Sequence, residues 1–350
     1  MRTTEERIAD VRRLLAAAHA VHADRARIAP AIAASTELSP EGVELGFDSL
    51  EREATDAELR GLVAVAGDAP HVHVVLSANV FVAPLRALAL ARAASPSVSI
   101  RPSPRDPILT RALVVTARDP AIVLTDERGV SRIPPGEVHV YGRDATIAAV
   151  HAAVPSGVTV RGHGAGMGVA VVSHACDLQE AARALAGDVV AFDQRGCLSP
   201  RVAFVLGSSD RANVFARALG DALASWQERV PRGRLAGDEL EAAARWRDVT
   251  PFAGSLHASP AYAVAVVPAF DAYLVPPPGR HVLVVPVPDA ASAADLLAPL
   301  AQHVVAVGSD DPSTPAPPHA RRSALGAMQR PPLDGPVDLR PSSGSVPRDA

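Results

Sequence analysis

The sequence predicts an α/β protein with two doubly wound units in tandem behind a helical amino-terminal segment. Three observations carry this. Strand-like apolar runs alternate with helical patterns from about residue 66 onward, residues 1–65 show helical periodicity alone, and 350 residues with 48% hydrophobic and 21% charged content can bury two cores.

Each element has a local reason. Ile8, Val11, Leu14 and Leu15 fall at helical spacing, and Thr55 stands three residues before Glu58, a capping-box pattern opening "TDAELRGLVAVA". The rhythm then becomes strand, helix, strand: "HVHVVLS" (71–77), a helix over 83–94, "SVSIRPS" (97–103), a helix over 106–115, "EVHVYG" (137–142), a helix from Asp144 to about Ala153, and "GVTVRG" (157–162). A second series comprises "GVAVVSH" (168–174), a helix from Asp177 to Ala186, a turn around Cys197, "RVAFVLG" (201–207) and a long helix over "RANVFARALGDALASW". Strands at 262–267 and 281–287, a helix over "ASAADLLAPLAQ" and a strand at 303–309 complete it. From Asp311 the composition turns Pro-rich and polar, which predicts a partly ordered tail with a short helical patch from Arg322 to Gln329.

Charge and composition exclude several functions. The net charge is -4 and no block of five Lys or Arg occurs, so nucleic acid is not an expected partner. The start "MRTTEERIADVRRLL" carries acids where a signal peptide needs an apolar core, and no uncharged run is long enough to span a bilayer; a cytoplasmic protein without a transmembrane segment is expected. Two cysteines, Cys176 and Cys197, make neither a disulfide framework nor a metal cluster, so no metal is expected.

Cys197 carries the chemistry. In "AFDQRGCLSPRVAFVLG", Gly196 permits a sharp turn and Ser199-Pro200 breaks the chain before the next strand, which puts the thiol on a loop at a junction. A thiolate both attacks and leaves well, so it can accept an acyl group and surrender it. Cys176, in "VVSHACDL", has no such setting and reads as a small buried hydrophobe. In "RGHGAGMGVAVV" the glycines Gly162, Gly164, Gly166 and Gly168 lead into a strand, whereas a dinucleotide fingerprint needs a strand-to-helix turn. That segment reads instead as a close-packed crossing that carries His163 into the cleft between the units.

Four stretches, "LSANVFVAPLRALALA", "SVSIRPSPRDP", "VYGRDATIAAV" and "DQRGCLSPRV", together with "GAMQRPPLDGPVD" near the end, resemble the LuxC-type acyl-CoA reductase branch of the aldehyde dehydrogenase superfamily. The resemblance implies an aldehyde dehydrogenase-like fold: a helical segment (1–65), a nucleotide-binding unit (66–165, completed by 304–340), a catalytic unit (166–303) carrying Cys197, and the tail (311–350). It implies a nucleophile at Cys197, an oxyanion donor at Asn79, and NADPH or NADH held around Ser77, Arg101, Pro102, Ser103, Gly142 and Arg143. A coenzyme A thioester is the implied substrate. His163-Gly-Ala-Gly stands where aldehyde dehydrogenases carry a water-activating Glu, which fits reduction of an acyl-enzyme rather than its hydrolysis; His163 is expected to take or supply a proton. Relatives in bacterial luminescence work with an acyl-activating protein, so such a partner and a homo-oligomer are admitted. Two alternatives stay open: a non-catalytic interaction protein of this fold, and an NAD-linked aldehyde dehydrogenase making free acid.

Overall fold

Thr3 opens the chain with a reciprocal cap, its hydroxyl accepting the Glu6 N–H while the Glu6 carboxylate accepts the Thr3 N–H at 2.7 Å. In the computed structural model, which describes residues 2–126 and 129–340, helix α1 (Thr4–Ala23) follows that cap and α2 (Ala29–Thr36), α3 (Pro40–Phe47) and α4 (Asp56–Ala66) come after it. The predicted capping box at Thr55 and Glu58 is present. The apolar stripe Ile8, Val11, Leu14 is fully enclosed and shares one core with the sheet that follows.

That sheet contains β1 (Val72–Val75), β2 (Val98–Arg101), β3 (Ile122–Leu124), β4 (Gly136–Tyr141) and β5 (Val158–His163), with α5 (Ala83–Ala94), α6 (Ile108–Ala117) and α7 (Asp144–Ala153) as crossovers. Its order is β3-β2-β1-β4-β5 and every pair is parallel. The order reverses between β1 and β4, so a crevice opens at their carboxyl ends, the place where open α/β sheets bind ligands.

Residues 164–166 cross to a seven-stranded sheet. It is built from β6 (Met167–Val172), α8 (Leu178–Val190), β7 (Pro200–Leu206), α9 (Ser209–Arg229), α10 (Gly237–Val249), β8 (Ser255–Ala258), β9 (Ala263–Val266), β10 (His281–Val287), α11 (Ala290–Leu297), β11 (Val304–Ser309) and β12 (Arg321–Ser323). Its order is β12-β11-β6-β7-β10-β9-β8, parallel except for β8 on β9. The crossing is tight: a Cβ on Gly168 would lie 2.2 Å from the Leu198 carbonyl oxygen, and one on Gly166 2.3 Å from Val305. The glycines therefore serve close approach of two chains.

Three expectations are corrected. Residues 304–340 do not complete the nucleotide-binding sheet, because β11 pairs with β6 and β12 with β11 in the seven-stranded sheet. The stretch from Arg322 to Gln329 is not helical; it begins in β12 and continues as a turn. Nor are residues 311–340 a loose tail. Arg86 donates to the carbonyls of Pro331, Pro332 and Gly335 at 2.7–2.8 Å, Met328 is fully buried, and Arg340 donates to the carbonyls of Ala165 and Gln302 at 2.8 Å. Proline breaks secondary structure here without breaking order, because arginine donors satisfy the exposed carbonyls. The last part of the expected tail, 341–350, lies outside the described residues.

Candidate active site

The loop before Cys197 is held in an uncommon conformation. Phe192, Asp193 and Gln194 all have positive φ (55°, 50° and 66°), which costs on the order of 1–3 kcal/mol per residue and persists only where the surroundings impose it. They do. The Gln194 amide donates to the carbonyls of Pro200 and His281 at 2.7 Å and accepts the His281 N–H at 2.8 Å, while Asp193 is ion-paired with the buried Arg280 and accepts the Gly233 N–H. Arg195 forks onto Glu239 of α10 at 3.0 Å. Thus "DQR" anchors the loop, and the next turn, closed by the Ser199 N–H on the Gly196 carbonyl, presents Cys197.

Cys197 faces a cavity of about 340 Å³ between the carboxyl ends of β1 and β4 and the amino ends of β6 and β7. Asn79, His163, Ser77, Gly142 and Arg143 line the same cavity. Arg101, Pro102 and Ser103 are not among its lining residues; Ser103 is buried, with its hydroxyl accepting the Arg105 N–H in the turn before α6. Leu15 of α1, with Leu50 and Ala54 from the stretch before α4, adds an apolar wall, and the segment from Gln329 to Asp338 adds a mixed polar and apolar one.

The model for the acyl-CoA reductase (LuxC) family matches residues 136–328, more than half of the chain, and spans β4, His163 and the Cys197 turn. The chain belongs to the LuxC family of acyl-CoA reductases. It is therefore an oxidoreductase acting at the aldehyde level. Among solved structures it is similar to an oxidoreductase from Marinobacter aquaeolei (TM-score 0.68, 12% identity, covering 97% of this chain and 84% of that one). It is also similar to aldehyde dehydrogenase C from Pseudomonas syringae, solved with NAD+ and octanal (TM-score 0.68, 12% identity, 93% and 77%). A third match is the NADP-dependent glyceraldehyde-3-phosphate dehydrogenase from Bacillus halodurans, solved with NADP (TM-score 0.65, 13% identity, 90% and 75%). At these identities the likeness shows the aldehyde dehydrogenase fold. A comparison with curated proteins found no match.

The electrostatics of this LuxC-family site are set by burial and arginine. Burial first, and then Asp338, push the Cys197 thiol up to about 11, opposed by Arg340, Arg86 and the thiol's own backbone N–H. At neutral pH the resting group is a thiol rather than the thiolate that the sequence suggested. Burial also brings His163 down to about 4, so it is a neutral imidazole, stacked on Tyr141 with ring centroids 4.4 Å apart. Direct proton transfer from that thiol to that imidazole runs far uphill. Arg52, Arg86, Arg143, Arg195, Arg201 and Arg330 line the cavity against Asp338, the lone acid among the described lining residues. Asp338 is itself tied by both carboxylate oxygens to Arg340, at 2.8 and 2.6 Å.

The crevice at β1 and β4 suits a nicotinamide cofactor in part. Ser77, Gly142 and Arg143 line it, but Asp144 in the first turn of α7 lies against Gly164, where a Cβ would meet its carboxylate at 2.4 Å. A fixed negative charge at that helix start opposes a phosphate there. For metals, His22, Asp48 and Glu51 bring ligand-type atoms within 4.8 Å of one another, with two exposed carboxylates; none of the three lines the cavity. Tyr141, Arg86, Gln329 and Asp338 lie within the stretches that carry the family resemblance but were given no role from the sequence; tertiary packing brings them to the cavity. No helix among the described residues is long and apolar enough to cross a membrane.

Proposed function

We propose that the protein reduces an acyl-CoA thioester to the aldehyde through an acyl group carried on Cys197. The observation that carries this reading is the placement of Cys197 on a stapled loop at the wall of a cavity that is apolar toward Leu15, Leu50 and Val80 and arginine-rich elsewhere. The apolar wall suits an acyl chain, and the arginines suit the phosphates of coenzyme A or of a nucleotide.

In this reading the Cys197 sulfur attacks the thioester carbonyl, a carbon–sulfur bond to the enzyme forms, and the bond to coenzyme A breaks. The thiol proton leaves with the coenzyme A sulfur, whose ordinary thiol basicity exceeds that of His163 in its buried setting. The oxyanion is held by the Cys197 backbone N–H, which already faces its own sulfur, and by the Asn79 amide. His163 is assigned a neutral hydrogen-bonding role beside Tyr141 rather than that of a base. Ser77, Gly142 and Arg143 would hold NADPH or NADH, which would supply hydride to the acyl carbon. The carbon–sulfur bond to Cys197 would then break, and the sulfur would take a proton from solvent as aldehyde leaves. Arg101, outside the cavity, is kept for the far end of the nucleotide, whereas Pro102 and Ser103 are buried and are given no contact with it.

The test is product analysis with acyl-CoA and reduced nicotinamide. Aldehyde formation that disappears in Cys197→Ala is expected. Free acid as the product would overturn the reading in favour of hydrolysis, and an absence of both turnover and thermal stabilisation by NADPH or NADH would favour a binding protein of the same fold.

A further inference from the structure

One part of the wall around Cys197 is hydrocarbon. Leu15, Leu50, Ala54, Val82, Leu85 and Leu333 line the cavity, and all six belong to the apolar cluster that the amino-terminal helices share with the first sheet or pack against it. Leu14 and Leu88 are fully enclosed in that core. Leu15, the next residue of α1, and Leu85, one turn back in α5, instead keep part of their surface open where they line the cavity. Helices α1 and α5 pack on each other. Val80 joins this patch to the nucleophile: it packs against the same cluster, and a Cβ on Gly196, the residue before Cys197, would lie 3.4 Å from its Cγ2.

The two arginines that border the patch have acceptors of their own. Arg52 donates to the Pro331 carbonyl at 3.1 Å and pairs with Glu58, while Arg86 donates to the carbonyls of Pro331, Pro332 and Gly335 at 2.7–2.8 Å. They hold the segment from Pro331 to Gly335, with its buried Leu333, against the cavity. An apolar wall whose neighbouring donors are satisfied accepts methylene groups and rejects polar ones, which would lose their hydration without gaining a partner. None of the six residues lies within 136–328, the part matched by the family model, whereas the Cys197 turn does.

We propose that Leu15 and Leu85 are specificity-determining residues that set the length of the straight aliphatic acyl chain accepted at Cys197. The chain runs along Val80 and ends against the two leucines. This rests on the acyl-enzyme reading above and names its substrate class, thioesters of unbranched aliphatic acids with no polar group at the far end.

The experiment uses the full chain with reduced nicotinamide and straight-chain acyl-CoAs from butyryl to palmitoyl, reading kcat/KM for aldehyde at each length. In wild type kcat/KM should rise about fourfold for each added methylene until the leucines are reached, the yield of burying one CH2, and then stop rising. Leu15→Ala and Leu85→Ala should move that limit about two carbons longer, since each removes a side chain's worth of volume that the surroundings refill only in part. Ala54→Leu fills the same space and should move it shorter, so the assignment stays testable even if an alanine variant fails to fold. A limit at the same length in all the folded variants would refute the assignment alone. So would a loss of equal size at every chain length, which would mark the leucines as packing residues, or a preference for acyl chains that end in a carboxylate. Wild-type protein that never acylates Cys197 would remove this inference and the acyl-enzyme reading together.

Discussion

The two cysteines sit at opposite ends of the same sheet, Cys197 before the amino end of β7 and Cys176 after the carboxyl end of β6. Burial raises both thiols to about 11, each with help from a nearby aspartate, Asp338 for one and Asp310 for the other. Their thiol acidity does not distinguish them; their neighbours do. Around Cys176, Asp310 accepts the Ser173 N–H and hydroxyl, and Arg211 donates to the carbonyls of Ser173 and Cys176 while its Nε has no partner among the described residues; Cys176 does not line the cavity of Cys197. Around Cys197, the cavity-lining residues Gln329, Tyr141 and Arg201 each keep one buried polar atom without a partner among the described residues, behind the wall rather than on it. What sets Cys197 apart is the cavity it lines together with Asn79 and His163, since an unpaired arginine nitrogen stands beside Cys176 as well.

The largest contrast should come from deleting each sulfur. Cys197→Ala is expected to lose acyl-enzyme formation entirely and Cys176→Ala to retain wild-type aldehyde production; equal loss in both would erase the distinction. Next, Asn79→Ala should lower turnover on the order of 100- to 1000-fold with the fold intact, checked by steady-state kinetics beside circular dichroism.

A smaller effect tests the charge near the sulfur. Because Cys197 ionises near 11, its alkylation rate should climb about tenfold per pH unit through neutral and mildly alkaline pH, with no plateau at the ordinary thiol value of about 8.5. Asp338→Asn removes the carboxylate that opposes ionisation, so its profile should move to lower pH; an unchanged profile would show that burial acts alone. The smallest effect is on stability. Tyr141→Phe deletes a buried hydroxyl that has no partner among the described residues, so thermal denaturation should show a gain of about 1 kcal/mol or no change, whereas a marked loss would mean that the hydroxyl is satisfied after all.

Much of this architecture could be read from the chain, because period-two and period-3.6 patterns alternate clearly along it. The helix over 83–94 and the strand over 281–287 match their observed limits. Strand β3 has only three residues, and β8 is a half-exposed edge, so neither makes a strong pattern. Helix α10 starts at Ala236 without a Ser, Thr, Asp or Asn cap, its one signal being the Glu239 carboxylate on the Ala236 N–H. Cys197 and His163 announce themselves through their local sequence and Asn79 only through the family resemblance, and all three line one cavity. Gln329, Tyr141 and Asp338 lie in stretches that carry the resemblance, but what makes them notable is the company they keep after folding.

The most direct test is a single turnover with acyl-CoA labelled in its acyl group, quenched before reductant is added and digested for peptide mapping. The label should sit on the peptide containing Cys197 and be released as aldehyde when reduced nicotinamide is supplied. Label on Cys176, or no covalent label under turnover conditions, would contradict the account.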